Sequence, residues 1–443
     1  MTAHSPPSPT PTECDVLVIG GGPAGSTVGA LLAQQGHTVT VLEKTHSPRF
    51  HIGESLLPAN LQLFEKLGVG DAVKAIGMEK WGAEFVSPWH ANPTQTFKFG
   101  DAWDKSMPFS YQVRRSELDE ILLRNATRLG AEVIEGCRVG KVIFATDQSH
   151  AIVHAQHDDG RAQLWRARFV VDASGRDTVL GKQFDVKRRN PKHNSSALYG
   201  HFVGAARHTG QDEGNITIFW FDHGWFWLIP LADGSTSIGA VVWPYYLKSR
   251  TKPIKEFFLD TIALCPALAE RLAQASLASE VEATGNFAYA CDHTHGPNYL
   301  LIGDAFTFID PVFSSGVMLA MQGGFAGAEA INTCLREPAK ATSALAHFDQ
   351  QVRLGPKEFS WFIYRITHPT MRDMFMEPRN VWRVKEALLS MLAGDIFGKM
   401  PIWRSLWALK AIFYVASAFN FKRSWAAMRL RKANIRVVDA THS

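Results

Sequence analysis

Two stretches of this 443-residue chain carry residue types and spacings that could do chemistry. The first is Gly20-Gly21-Gly22-Pro23-Ala24-Gly25. An apolar strand candidate, Cys14 to Ile19, precedes it; Ser26 to Gln35 reads as a helix, and Thr38 to Leu42 as a second strand ending at Glu43. In that order Gly20 permits a tight turn, Gly22 lets the backbone approach a pyrophosphate, and Gly25 lets helix and strand pack closely, with Ala24 between them. The helix N-terminus turns free N–H groups on the phosphates, and Glu43 stands where a carboxylate takes ribose hydroxyls. The second stretch is Trp225-Phe226-Trp227-Leu228-Ile229-Pro230. Indoles two residues apart on a strand point to one face. They make a bulky wall able to keep a substrate away from a cofactor, and Pro230 ends the strand. Core packing is the plain alternative for such a pair.

Further along, Phe169-Val170-Val171 runs into Asp172-Ala173-Ser174-Gly175, and Tyr299-Leu300-Leu301-Ile302 ends in Gly303-Asp304. Both resemble the second and third cofactor motifs of the flavoprotein hydroxylase superfamily. The resemblance implies Asp172 and Asp304 as cofactor contacts, Asp304 on a ribityl hydroxyl of FAD, and Arg115 near the phosphates. From residue 14 to about 330 the chain also resembles the flavin-dependent halogenases. The matching segments are Arg49-Phe50-His51-Ile52-Gly53-Glu54-Ser55-Leu56-Leu57-Pro58, Gly77-Met78-Glu79-Lys80-Trp81-Gly82-Ala83, the tryptophan segment, and the spacing Phe308-x-x-Pro311-x-x-Ser314-x-Gly316. It is more similar to the carrier-protein-dependent halogenases than to the free-tryptophan type, which carries a glutamate where this chain has Phe313. In such enzymes reduced FAD, supplied by a separate flavin reductase, and oxygen turn chloride or bromide into hypohalous acid. A lysine across a tunnel then delivers electrophilic halogen to an electron-rich ring, a phenol or pyrrole, on an acyl carrier protein or free. The resemblance assigns that lysine to Lys80, places Arg49 and Ser55 at the cofactor, and gives Trp225, Trp227 and Pro230 the separating role.

The halide needs donors with little competing water. Ser315 and Gly316 precede a helix expected from Val317 to Ala330, and amides at a helix start form an anion site; a serine cap on an ordinary helix reads the same way. Cys291-Asp292-His293-Thr294-His295 is read as a loop rather than a metal site, because no second half of suitable spacing follows. No metal is expected.

The expected fold is α/β: a doubly wound FAD-binding domain interleaved with a mostly antiparallel substrate-domain sheet, plus a helical C-terminal region. The FAD parts cover about 14–80, 112–185 and 285–356, the sheet parts about 81–111 and 186–284, and the helical region 357–443. Residues 1–13, rich in Pro, Ser and Thr, are expected to be a disordered leader without a signal peptide. A net charge of +4 gives no reason to expect nucleic acid. Five scattered cysteines fit a reducing compartment, so a cytoplasmic location is expected. From Pro401 to Ser443 eight Lys or Arg face one acid among seven aromatic residues. That excess suggests an acidic partner or contact with a membrane surface. Three rivals to halogenation remain open on the same scaffold: an aromatic hydroxylase or other monooxygenase, a reductase of isoprenoid or polyene chains, and a non-catalytic flavin protein.

Overall fold

The computed structural model describes residues 10–191, 193–285, 288–397 and 402–436. The first expected strand exists and starts earlier than the apolar run suggests, at Thr12, so Thr12 and Glu13 of the expected leader belong to a sheet; residues 1–9 lie outside the described residues. Thr12–Ile19 is flanked by Ala162–Asp172 and Val39–Leu42, both parallel to it, and Glu132–Ile134 and Tyr299–Leu301 extend the parallel array on either side. The strands Cys137–Phe144 and Ala151–His157 add an antiparallel meander to its edge. Continuous burial of Val16, Leu17, Val18, Val39 and Val41 is what a parallel sheet covered on both faces requires.

The glycine turn delivers the chain to helix Pro23–Gln34. Gly20 has φ +101°, and a Cβ there would lie 2.5 Å from the Ala173 carbonyl oxygen. Gly25 is more constrained: its Cβ would sit 1.9 Å from the Gly20 carbonyl oxygen. Only a residue without a side chain lets the helix start this close to the strand that feeds it.

The second sheet runs Ser276–Leu277, Ser196–Val203, Ser235–Val242, Gly224–Pro230, Ile216–Phe221, Gly82–Val86 and Thr94–Lys98, antiparallel except where Ile216–Phe221 meets Gly82–Val86. Alternation along Gly224–Pro230 sorts its side chains cleanly. Trp225, Trp227 and Ile229 join the main core, whereas Phe226 and Leu228 pack on the far side with Phe258 and Leu268. The α/β class, with its FAD-type parallel sheet and mostly antiparallel second sheet, is therefore the one expected.

Behind the glycine turn lies helix Gly316–Arg336, longer at both ends than its apolar text implied. The next helix, Ala341–Ile363, runs unbroken past residue 356, where the sequence suggested that the C-terminal region begins. Pro369–Met376, Val384–Ala393, Trp403–Phe419 and Phe421–Arg436 follow. The methyl of Gly25→Ala should force helix and strand apart; we expect a loss of about 2–4 kcal/mol in chemical denaturation, and of FAD binding with it.

Candidate active site

A cavity of about 440 Å³ opens where the glycine turn, the ends of the parallel strands and the inner face of the second sheet converge. Gly20, Gly22, Ala24, Glu43, Arg49, Ser55, Arg115, Trp225, Trp227, Asp304, Ser315 and Gly316 all line it. These residues span nearly 300 positions of sequence and were singled out from separate motifs.

The phosphate end of the cavity is built by the first helix. No side chain caps it, so its leading amides are left for a ligand. A Cβ on Gly22 would meet nothing nearer than an Arg49 nitrogen at 3.6 Å, so any larger side chain there would project into the cradle. Glu43 is buried and accepts from the Gly21 amide at 2.7 Å and from the Thr45 amide and hydroxyl at 3.1 and 2.7 Å; Arg49 lies 3.6 Å away. The carboxylate thus fastens the glycine turn while facing the cavity. Arg115 also lines it, but its guanidinium is held by both oxygens of Asp119 at 2.9 Å and reaches the Ile52 carbonyl at 3.0 Å. Burial, reinforced by the Arg115 charge, holds His51 down at about 4. Asp304 is pushed up to about 6 by desolvation, against the pull of Arg115, Arg176 and Lys187. A pocket with this cationic surround and an uncapped helix start fits the pyrophosphate and ribityl parts of FAD.

Four expected site residues do not line the cavity. Asp172 is fully buried and spends its carboxylate on the Ser174 amide and hydroxyl at 3.0 and 2.5 Å and the Leu180 amide at 2.7 Å. It braces the turn after its strand and does not line the cavity. Gly25 is used up in helix–strand contact. Pro230 ends its strand one residue beyond Ile229, so alternation turns it from the cavity that Ile229 lines.

Lys80 does not line the cavity either; it sits directly behind it. Its strand, Met78–Lys80, pairs with Ser110–Gln112. Lys80 is 1% exposed, and its amine donates to the Ser55 hydroxyl at 2.9 Å and the Leu56 carbonyl at 2.8 Å. No carboxylate pairs with it among the described residues, and burial alone pulls its pKa down to about 7. The Phe99 ring lies 5.2 Å away. Nearby in the strand pair, Ser110 Oγ and Gln112 Oε1 are buried without a partner among the described residues. Ser55 is the shared wall, facing the cavity and bonded to the amine.

The indoles of Trp225 and Trp227 lie 6.0 Å apart, and Trp227 donates to Ser237 at 3.1 Å. Next to them sequence reasoning missed three groups. Glu54 and His201 form a buried pair at 2.9 Å, Tyr199 donates to Glu282 at 3.0 Å, and Arg176 donates to the Gly285 carbonyl at 2.6 Å. Glu54 stood next to Ser55 in a quoted motif; its partner is 147 residues away, which no local pattern reveals.

Ser315 and Gly316 begin helix Gly316–Arg336, with Ser314 before them at φ +55°. The preceding turn is tied down by Asp310, which accepts from Ser195 at 2.8 Å and pairs with His193 at 2.9 Å. Phe313 points into a ring cluster with Phe362 and Phe375, at 6.5 and 6.4 Å. Among the described residues no cluster of three or more His, Cys, Asp or Glu could hold a metal ion.

Because a Cβ on Gly22 meets only open cradle, Gly22→Val should keep the wild-type melting temperature in the FAD-free protein. Its FAD affinity should fall by on the order of tenfold or more, read by fluorescence titration. That outcome contrasts with Gly25→Ala, which breaks the fold itself.

The FAD binding domain family matches residues 13–353. The chain is 32% identical over 352 residues to a tryptophan 2-halogenase of Chondromyces crocatus, covering 77% of this chain and 65% of that relative's length. It is 28% identical over 407 residues to a pyrrole-2-carbonyl peptidyl-carrier-protein chlorinase of Pseudomonas fluorescens, covering 87% of this chain and 90% of the relative. The solved structure of the myxobacterial chondrochloren halogenase, an FAD-dependent enzyme, superposes with a TM-score of 0.76 at 34% identity, over 89% of this chain and 93% of that one. With its glycine turn, its tryptophan wall and its buried lysine on that shared frame, the chain belongs to the flavin-dependent halogenases.

Proposed function

We propose that this chain installs chloride or bromide on an electron-rich ring, of phenol or pyrrole type, presented on a carrier protein, and that a separate flavin reductase supplies its reduced FAD. The observation that carries the reading is the Lys80 amine, buried without a counter-charge among the described residues and one side chain from the cavity. When bound, reduced FAD with oxygen supplies the two-electron oxidant that converts halide to hypohalous acid.

The rest falls to this chain's residues. Ser315 and Gly316 offer helix-start amides to the halide at the cavity wall. Trp225 and Trp227 fill the sheet face of the cavity and exclude the aromatic substrate from the cofactor side. The Lys80 amine spends two N–H groups on Ser55 and Leu56; in its neutral form one lone pair remains. That lone pair can accept a hydrogen bond from hypohalous acid, or take the halogen itself with loss of water. On the second route the amine's lost N–H proton leaves in that water, and transfer breaks the N–halogen bond while the ring's proton restores the N–H; on the first, the ring's proton leaves with the hydroxide as water. Desolvation matters because an ammonium has no lone pair, and a pKa near 7 keeps a large neutral fraction. Support for the carrier-bound substrate comes from Phe313, which replaces a carboxylate with an apolar ring, and from the likeness to the carrier-protein chlorinase.

Lys80→Ala and Lys80→Arg are each expected to lower halogenated product by about a hundredfold or more while flavin reoxidation stays near wild type. Mass spectrometry of product beside oxygen consumption checks this, and a Lys80→Ala enzyme that halogenates normally would overturn the assignment. Only hydroxylated product from the wild type would favour the hydroxylase.

The amine also predicts a pH dependence. Its folded pKa lies below its unfolded one, so the unfolded chain binds the extra proton between about 7 and 10.5. The burden on stability is full below 7 and fades as pH rises through that window. Lys80→Met should therefore stabilise the fold most at low pH. Wild-type halogenation should rise through a midpoint near 7, with flavin reoxidation lacking that step. In crystals soaked with bromide, the anomalous peak should lie by Ser315 and Gly316; strong peaks only elsewhere in an active crystal would sink the halide assignment.

A further inference from the structure

The last two helices are apolar or basic on the side that no described residue covers. On Trp403–Phe419, Ile402, Leu406, Leu409 and Phe413 turn inward and are buried. The opposite face, spaced as a second helical stripe, carries Arg404, Trp407, Tyr414, Val415 and Phe419. Trp407 is 71% exposed and Phe419 87%. A helix apolar on both faces belongs in a core or at a lipid boundary, and only one of these faces is in a core. On Phe421–Arg436, Ser424 and Asn434 turn inward, and the outer face bears Lys422, Trp425, Arg429 and Lys432, with Phe421 65% exposed at its start. Residues 402–436 contain eight Lys or Arg and no acid. Among the described residues, Lys410 is engaged on Glu358, Arg423 on Asp373, and Arg431 by His193 and Tyr364. Beside the first helix, Trp382 is 71% exposed at φ +53°, a left-handed backbone that a bulky residue rarely adopts. No described helix is long and apolar enough to cross a membrane.

We infer that these two consecutive helices dock the enzyme on the surface of an anionic lipid bilayer, Trp407, Phe419 and Phe421 entering the headgroup boundary and Lys422, Arg429 and Lys432 meeting the lipid phosphates. Apolar length along one helix with uncompensated cations along the next is the pattern of a helix pair lying in the interface. An acidic carrier protein would use the cations but leave the apolar stripe, most of it ringed side chains, in water. The inference is independent of the halogen chemistry and goes beyond it.

The test is flotation of the FAD-loaded full chain with vesicles of phosphatidylcholine alone and of phosphatidylcholine with roughly one-third phosphatidylglycerol. We expect binding to the anionic vesicles only, weakened by salt. Each of Lys422→Glu and Lys432→Glu should weaken it by about fivefold or more. Phe419→Ser combined with Phe421→Ser should lose at least about tenfold, with halogenation of a soluble ring and the melting temperature unchanged, which shows that the variant is folded. Absence of flotation at low salt, equal binding to both vesicles, a dimer that buries the two helices, or retention by an acyl carrier protein but not by vesicles would each overturn it.

Discussion

An amine sealed in a protein interior with no carboxylate beside it is a cost that the surrounding structure must absorb, and the segment from Arg49 to Pro58 is arranged around that constraint. Ser55 gives Lys80 its hydroxyl and Leu56 its carbonyl, while Arg49, Phe50 and Glu54 of the same segment face the cofactor cavity. One short stretch therefore lines the cavity on one side and is bonded to the buried amine on the other. The strand pair that carries Lys80 is only three residues long on each side, so its position depends on this stretch as much as on its own ladder. Burial works on the amine in a useful direction. A counter-ion would have lowered the cost and also fixed the ammonium, removing the lone pair that the proposed halogen transfer requires.

The second sheet shows the same economy on a larger scale. A single strand, Gly224–Pro230, gives two indoles to the cavity and two apolar side chains to a separate core behind it. The wall is rigid because its back is packed. Phe226 and Leu228 are buried against the helix that contains Phe258, so the tryptophans cannot recede without opening a core.

Features whose logic is local were legible in the sequence. A glycine turn between strand and helix, a carboxylate at the end of the next strand, and alternation along Trp225 to Pro230 each depend on neighbours within a few residues. Reading failed where the deciding partner is remote or where two uses share one local pattern. Asp172 and Asp304 both follow a strand and both looked like ligands for the cofactor; the turn from Ser174 to Leu180 captures the first, and only the second reaches the cavity. The Arg115–Asp119 clamp was within reach, since a helical spacing of four is a recognised signal. Glu54 with His201, Asp310 with His193, and the stacking of Phe313 on Phe375 join positions far apart in the chain and had no local trace.

Helix Ala341–Ile363 begins among the elements that enclose the cofactor cavity, lines that cavity with Val352 and Pro356, and ends with Phe362 against Phe313 and the C-terminal helices. Catalytic core and C-terminal region are thus not modules joined by a linker; they share a structural beam. Replacement of the C-terminal region would cut that beam if the joint were placed at the change in sequence character near residue 357. Point changes within that helix leave the beam whole, whereas a joint placed inside it would have to rebuild contacts to the cavity and to the C-terminal helices at once.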